Sequence, residues 1–136
     1  MKTILTCILS ACILTGYSQR VELLQEGTNS SLRGLSVVSD NVIWCSGSNG
    51  MVGKSLDGGL SFQWIQVKGY EKRDFRDIEA FDSSTSVIMA VAEPAIILKT
   101  SDGGISWRKV FEDTTTGMFL DAMDFDGGNG VVVGDP

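Results

Sequence analysis

Ser55-Leu56-Asp57-Gly58-Gly59-Leu60-Ser61-Phe62 and Thr100-Ser101-Asp102-Gly103-Gly104-Ile105-Ser106-Trp107 are two copies of one pattern, [ST]-x-D-G-G-[LI]-S-[FW], set 45 residues apart. Each position has a mechanical reason. The Asp carboxylate accepts hydrogen bonds from the backbone of its own loop, the glycines supply positive φ, and the closing aromatic is expected to reach back into the core. Apolar runs flank both copies, from Gly50 to Lys54 and Ala95 to Lys99 before them, and from Phe62 to Val67 and Trp107 to Phe111 after them. Two strands joined by a specified turn have this form. Ser55, Asp57, Gly59 and Phe62, with Thr100, Asp102, Gly104 and Trp107, are therefore read as structural residues.

Sliding the chain against itself by 43 to 45 residues aligns more than these turns. Arg33 to Val38 falls on Arg76 to Phe81, and Val42 to Cys45 on Val87 to Ala90. Phe119 to Asp126 falls on Phe75 to Asp82, and Gly134-Asp135-Pro136 on Ala92-Glu93-Pro94. Within each unit the pattern predicts four short strands: about 33–38, 42–47, 50–55 and 62–67 in the first, and about 75–81, 86–92, 95–100 and 106–111 in the second. A four-stranded unit of about 45 residues repeated head to tail is the mark of a propeller blade. The expected fold is all-β, with blades of four antiparallel strands and about two and a half blades present. Blade 1 spans 33–70, blade 2 spans 71–115 and a partial blade 3 spans 116–136. Two and a half blades do not close a ring, so the sequence is expected to be the N-terminal part of a longer propeller. Residues 19–32 form an N-terminal segment, in which Val21 to Gln25 are a candidate closing strand for the last blade.

Residues 1–18 are set aside as a signal peptide: Lys2 supplies a positive charge, Ile4 to Leu14 an apolar core, and Gly16 and Ser18 the small residues before a cleavage site. The chain is thus expected to be exported, whether periplasmic, cell-surface or secreted. Leu9-Ser10-Ala11-Cys12 also fits a lipobox, with the shortness of the preceding apolar run against it. No later stretch has the roughly 18 apolar residues of a membrane-spanning helix. The formal net charge is −6, and loss of Lys2 with the leader makes the remainder more acidic, which disfavours nucleic acid as a partner. The chain has no histidine, which removes imidazole metal sites and histidine-based triads. Cys45, inside Val42-Ile43-Trp44-Cys45, reads as a buried small hydrophobe.

These turns, with Ser31-Leu32-Arg33-Gly34-Leu35, Ser46-Gly47-Ser48-Asn49-Gly50, Asp74-Phe75-Arg76-Asp77-Ile78, Ala92-Glu93-Pro94-Ala95 and Gly134-Asp135-Pro136, carry a resemblance. The turns are similar to Asp-box (BNR) repeats, and the wider pattern resembles the secreted bacterial type of photosystem II stability/assembly factor-like propellers over residues 21–136. That resemblance implies a seven-bladed ring, no cofactor, and a binding or assembly role with a protein partner.

The residues expected to carry such a role lie away from the turns. Arg33, Arg76, Asp77 and Asp121 fall early in the innermost strands, where they are read either as interblade ion pairs or as a charged channel rim. Glu93 and Asp135 are read as one loop position repeated, placing carboxylates on the same rim. Asp124 and Asp126 near Gly127-Gly128 resemble part of a calcium loop without its closing Glu, so Asn129-Gly130 is read as a turn and no metal site is expected. Trp44, Trp64 and Trp107 are assigned to interblade core. The expectation is a non-enzymatic binding protein. The alternative is a glycan-active propeller of the sialidase or glycosidase class, using Asp77, Glu79 or Asp121; Phe75-Arg76-Asp77-Ile78 resembles a sialidase Phe-Arg-Ile-Pro motif only superficially. A weaker alternative, an oxidoreductase propeller, has no nucleotide fingerprint to support it.

Overall fold

Ten strands and no helix form in the computed structural model, which describes residues 21, 23 and 28–135. The strands are β1 (Leu32–Val37), β2 (Ile43–Gly47), β3 (Met51–Ser55), β4 (Gln63–Gln66), β5 (Phe75–Ala80), β6 (Ser86–Ala90), β7 (Ala95–Thr100), β8 (Arg108–Asp113), β9 (Phe119–Asp126) and β10 (Asn129–Asp135). They make two four-stranded antiparallel sheets, β1-β2-β3-β4 and β5-β6-β7-β8, and the hairpin β9-β10. Every strand expected in the first two units is present, its ends displaced by at most two residues. The leader lies outside the described residues. So does most of the candidate closing strand, of which Val21 and Leu23 are exposed. No helix of the described residues is long and apolar enough to cross a membrane.

The sheets stack face to face because strand pleating sends alternate residues to opposite sides. On the side of the first sheet that meets the second, Trp44, Val52 and Val67 pack with Phe75, Ile78, Ile88, Ala90, Ile96 and Leu98, all fully buried. At about 25 cal/mol per Å² of apolar surface, this cluster is the main source of cohesion between the sheets. A second cluster joins Val87, Met89 and Ala95 to Leu120 and Met123. The Trp44 indole donates to Asp82 O at 3.1 Å, which satisfies its buried N–H across the sheet boundary. Lys54 reaches the same boundary, its Nζ 2.8 Å from Gly103 O and 5.1 Å from the centre of the Trp44 ring.

Trp64 lies on the same face of the first sheet as Leu35 and Cys45. It pairs with Gly53, one residue out of phase with the Trp44–Lys54 pair, so it lies on the side facing away from the second sheet. There it stacks on Phe62 at 5.4 Å and covers Gly53 and Cys45. Cys45 is buried, and burial pushes its thiol up to about 11, as an inert core residue requires.

The strand register also corrects the repeat alignment. Val87 pairs with Lys99 as Trp44 pairs with Lys54, so β2 and β6 correspond at a 43-residue offset while β3 and β7 correspond at 45. The difference falls in the β6–β7 turn, which is two residues longer than the β2–β3 turn and contains Glu93-Pro94. In the third unit, Asp126 pairs with Asn129, so Gly127-Gly128 form the turn and Asn129-Gly130 belong to β10. The expected Asn-Gly turn gives way to one whose two glycines carry the bend.

Candidate functional site

Each innermost strand contains a β-bulge near its start. The register slips between Leu32 and Gly34 in β1, between Phe75 and Asp77 in β5, and where Leu120 and Ala122 of β9 face the consecutive residues Gly134 and Val133. The extra residues are Arg33, Arg76 and Asp121. A bulge re-aims its residue out of the ladder, and here it turns three charges toward one end of the stack. Asp121 is thus the equivalent of Arg76, whereas the gapless sequence comparison set it against Asp77.

This equivalence places opposite charges side by side. Arg76 Nη2 lies 3.1 Å from Asp121 Oδ1, Arg76 Nε donates to Asp121 O at 3.3 Å, and the guanidinium lies 5.3 Å from the centre of the Phe119 ring. Arg33, in the same position one sheet earlier, is exposed and makes no ion pair among the described residues. Asp77 is committed to the backbone: its Oδ1 accepts from Ile78 N at 2.9 Å and its Oδ2 from Met123 N at 2.8 Å, which ties the second sheet to β9. In the first sheet that position is Gly34, where a Cβ would stand 2.8 Å from Ile78 N. The first boundary therefore closes by direct backbone approach at Gly34, and the second through a carboxylate at Asp77. Arg33, Arg76, Asp77, Asp121 and Ala122 together line one open depression.

One step further along, Ser36 Oγ donates to Glu79 Oε2 at 3.3 Å and accepts from Ala80 N at 3.0 Å. Burial, then the neighbouring Asp77 charge, raises the Glu79 pKa above the usual carboxylate range. The carboxylates available to a glycosidase reading are thus held by structure: Asp77 by two backbone donors, Asp121 by Arg76, and Glu79 by Ser36.

Glu93 and Asp135 do not form a repeated acid position. Glu93 is exposed in the long β6–β7 turn, where Arg73 Nη1 donates to the carbonyls of Ala92, Glu93 and Pro94 at 3.0, 2.8 and 3.4 Å. Asp135 instead pairs with Phe119 at the end of β10, in the place that Val91 takes after β6. The acid-Pro pairs matched by residue type alone, while the ladder sets Asp135 two residues earlier in its strand than Glu93. Among the described residues, no group of three or more His, Cys, Asp or Glu is placed to hold a metal.

The two Asp-Gly-Gly turns occupy the other end of the strands and are nearly superimposable in their bonding. Asp57 Oδ1 accepts from Ser55 Oγ at 2.8 Å and Ser61 N at 2.9 Å, and Oδ2 from Ser61 Oγ at 2.6 Å. Asp102 does the same with Thr100 Oγ1, Ser106 N and Ser106 Oγ at 2.8, 2.9 and 2.6 Å. Ser55 Oγ and Thr100 Oγ1 also accept from Gly59 N and Gly104 N at 2.8 and 3.0 Å. The glycines stand at φ of 72° and 92° in one turn and 76° and 90° in the other, which side chains resist. The Ser106 hydroxyl, then its N–H and the Thr100 hydroxyl, lower the Asp102 pKa to about 2, and the equivalent donors lower that of Asp57. Trp107 packs against the core as expected and donates to Gly104 O at 3.2 Å. Phe62 does not reach that core and stacks on Trp64 instead.

This combination of stacked four-stranded sheets has solved counterparts. A structure of YCF48 bound to a D1 peptide matches with a TM-score of 0.65, at 20% identity over 78% of this chain and 34% of that one. The fold is that of the YCF48 propeller. YCF48 from Cyanidioschyzon merolae matches with a TM-score of 0.58, at 18% identity over 80% of this chain and 36% of that one. The chain spans about a third of the length of the YCF48 structures it matches. No family model and no curated protein matches the sequence.

Sequence reasoning missed three residues that build this YCF48-like stack. Lys54 had a signal, since Lys99 recurs 45 residues later immediately before the second turn. Ser36 and Arg73 act through partners 43 and about 20 residues away, and neither recurs in the aligned units.

Proposed function

We propose that this chain supplies blades to an exported, non-enzymatic β-propeller whose charged rim binds a protein. The observation that carries the reading is the depression lined by Arg33, Arg76, Asp77 and Asp121, set at the strand end opposite the Asp-Gly-Gly turns. Arg76 and Asp121 remain partly open to solvent there, with side chains 38% and 37% exposed, so both are available to a ligand as well as to each other. The solved YCF48 bound to a D1 peptide supports a peptide as the kind of partner. Export rests on the leader pattern of residues 1–18.

Cross-linking pull-downs from the cell envelope, comparing the native chain with an Arg33→Ala/Arg76→Ala variant, test the reading. A protein partner retained by the native chain and lost from a variant that keeps its melting temperature is the expected result. Equal recovery by both forms overturns the rim as the binding surface. Recovery of unprocessed chain from the cytosol alone overturns export.

A further inference from the structure

Counted from the bulge, Ser36 of β1, Glu79 of β5 and Asp124 of β9 hold one position of the innermost strand, paired with Trp44, Val87 and Val131. At the first boundary that position is a neutral hydroxyl. Ser36 Oγ accepts from Ala80 N at 3.0 Å and donates to Glu79 Oε2 at 3.3 Å, which ties β1 to β5. At the second boundary the position is a carboxyl group. Glu79 shares its side of the sheet with Val87, which packs with Leu120 and Met123 of β9, so the acid faces the hairpin β9–β10.

The groups around Glu79 are Ser36 from β1, Asp77 from its own strand and Asp124 from β9. Among the described residues no Lys or Arg forms an ion pair with it, and no donor of β9 reaches its carboxylate. An ionised Glu79 therefore meets two like charges, offset by one neutral hydroxyl, and a protonated Glu79 meets no such repulsion. Burial first, then the Asp77 charge, raises its pKa for this reason.

That repulsion works against the smaller of the two clusters. Five buried side chains join the second sheet to β9, against nine across the first boundary. Two β9 amides also donate across it, Leu120 N to Val91 O at 3.2 Å and Met123 N to Asp77 Oδ2 at 2.8 Å, beside the 3.1 Å contact of Arg76 with Asp121. All three contacts require β9 to stay docked.

We propose that Glu79 is a proton-operated latch on the second boundary: protonated, it lets β9–β10 close and keeps Asp121 on Arg76; ionised, it loosens β9 and frees the Arg76 guanidinium into the rim depression. Rising pH thus uncovers a cation that falling pH masks. What Arg76 then takes up rests on the reading of the rim as a binding surface; the latch itself does not, and its test uses no rim ligand.

Amide exchange, corrected for the intrinsic rate at each pH, is followed in the full chain and in Glu79→Gln from about pH 4 to 8, a span that brackets a raised carboxylate. Protection at Leu120 and Met123 is expected to fall by about tenfold as pH rises in the native chain and to stay flat in Glu79→Gln. Trp44 and Val52, in the first sheet, are expected to stay protected in both. The Arg76 Nε–H resonance should move with the same midpoint as Met123. A readout on the native chain alone guards against a variant that misfolds: the carbon chemical shift of the Glu79 carboxyl gives a midpoint that should coincide with that of Met123 protection. A Glu79 titration that leaves Met123 protection unchanged overturns the latch, as does a pH dependence that persists in Glu79→Gln. Protection that falls equally at Trp44 marks general unfolding and overturns it too. Equal partner recovery by the native and Arg33→Ala/Arg76→Ala forms would overturn the rim and leave these midpoints where they are.

Discussion

The two boundaries between consecutive sheets and the outer face of the first sheet use the same positions and end in different states. Phe75 and Ile78 are fully buried against the first sheet, and Leu120 and Met123, their equivalents, are buried against the second. Leu32 and Leu35, the same positions in β1, are 46% and 65% exposed, with no sheet before them among the described residues. Trp107 and Phe62 repeat the contrast, one packed against a neighbouring sheet and the other stacked within its own. Local sequence therefore specifies the strand and the turn, while the adjacent sheet decides whether a side chain becomes core.

The largest test of this comparison removes the aromatic centre of the closed boundary. Trp44→Ala deletes a fully buried indole and its bond to Asp82 O, and a loss of about 3–5 kcal/mol is expected in denaturant unfolding. Leu35→Ala, at an equivalent of Ile78, is expected to change stability by less than about 0.5 kcal/mol in the chain as it stands. A comparable loss from both would break the distinction between the boundaries.

Asp77→Ala comes next, because it strands the N–H groups of Ile78 and Met123. A cost of about 1–3 kcal/mol is expected, with faster amide exchange at Met123 than at Leu35. Arg76→Ala has a smaller effect, about 0–1 kcal/mol, since the Arg76–Asp121 pair is well exposed.

The two ends of the strands are also expected to respond oppositely to acid. Asp102, held near 2, contributes stability that is complete above the unfolded carboxylate value of about 3.9 and is lost as pH falls toward 2. Glu79 has a raised pKa, so its contribution is complete below the unfolded value and is lost as pH rises through the folded one. Glu79→Gln should flatten the fall in stability as pH rises above the usual glutamate range, and Asp102→Asn should flatten its acid limb. Melting temperatures of the two variants across pH 2 to 7, a range chosen to bracket the carboxylate values, check both signs.

Much of this was legible from the sequence because its determinants are local. An Asp two residues after a hydroxyl and two glycines before the next strand declare a turn wherever they occur, and the alternation of apolar residues declares its strands. The inner-strand charges were legible as residues but not as neighbours. β5 and β9 carry the same bulge and correspond at 45 residues, which sets Asp121 against Arg76, whereas matching Phe119 and Phe125 to Phe75 and Phe81 uses 44 and sets it against Asp77. Asp135 was misplaced because its acid-Pro pair matches Glu93-Pro94 by type, while its ladder position is that of Val91.

Every hydrogen bond that Asp57 and Asp102 accept from side chains or backbone spans four residues or fewer. Such contacts close in small loops and carry little chain-closure entropy, so they form on the microsecond scale of a hairpin rather than on that of sheet docking. Each turn can therefore fix its hairpin's register before the sheets meet. That order keeps the long apolar strands β6 and β7 from sampling wrong pairings while their faces are still bare, and it gives a repeat protein a means of folding one unit at a time.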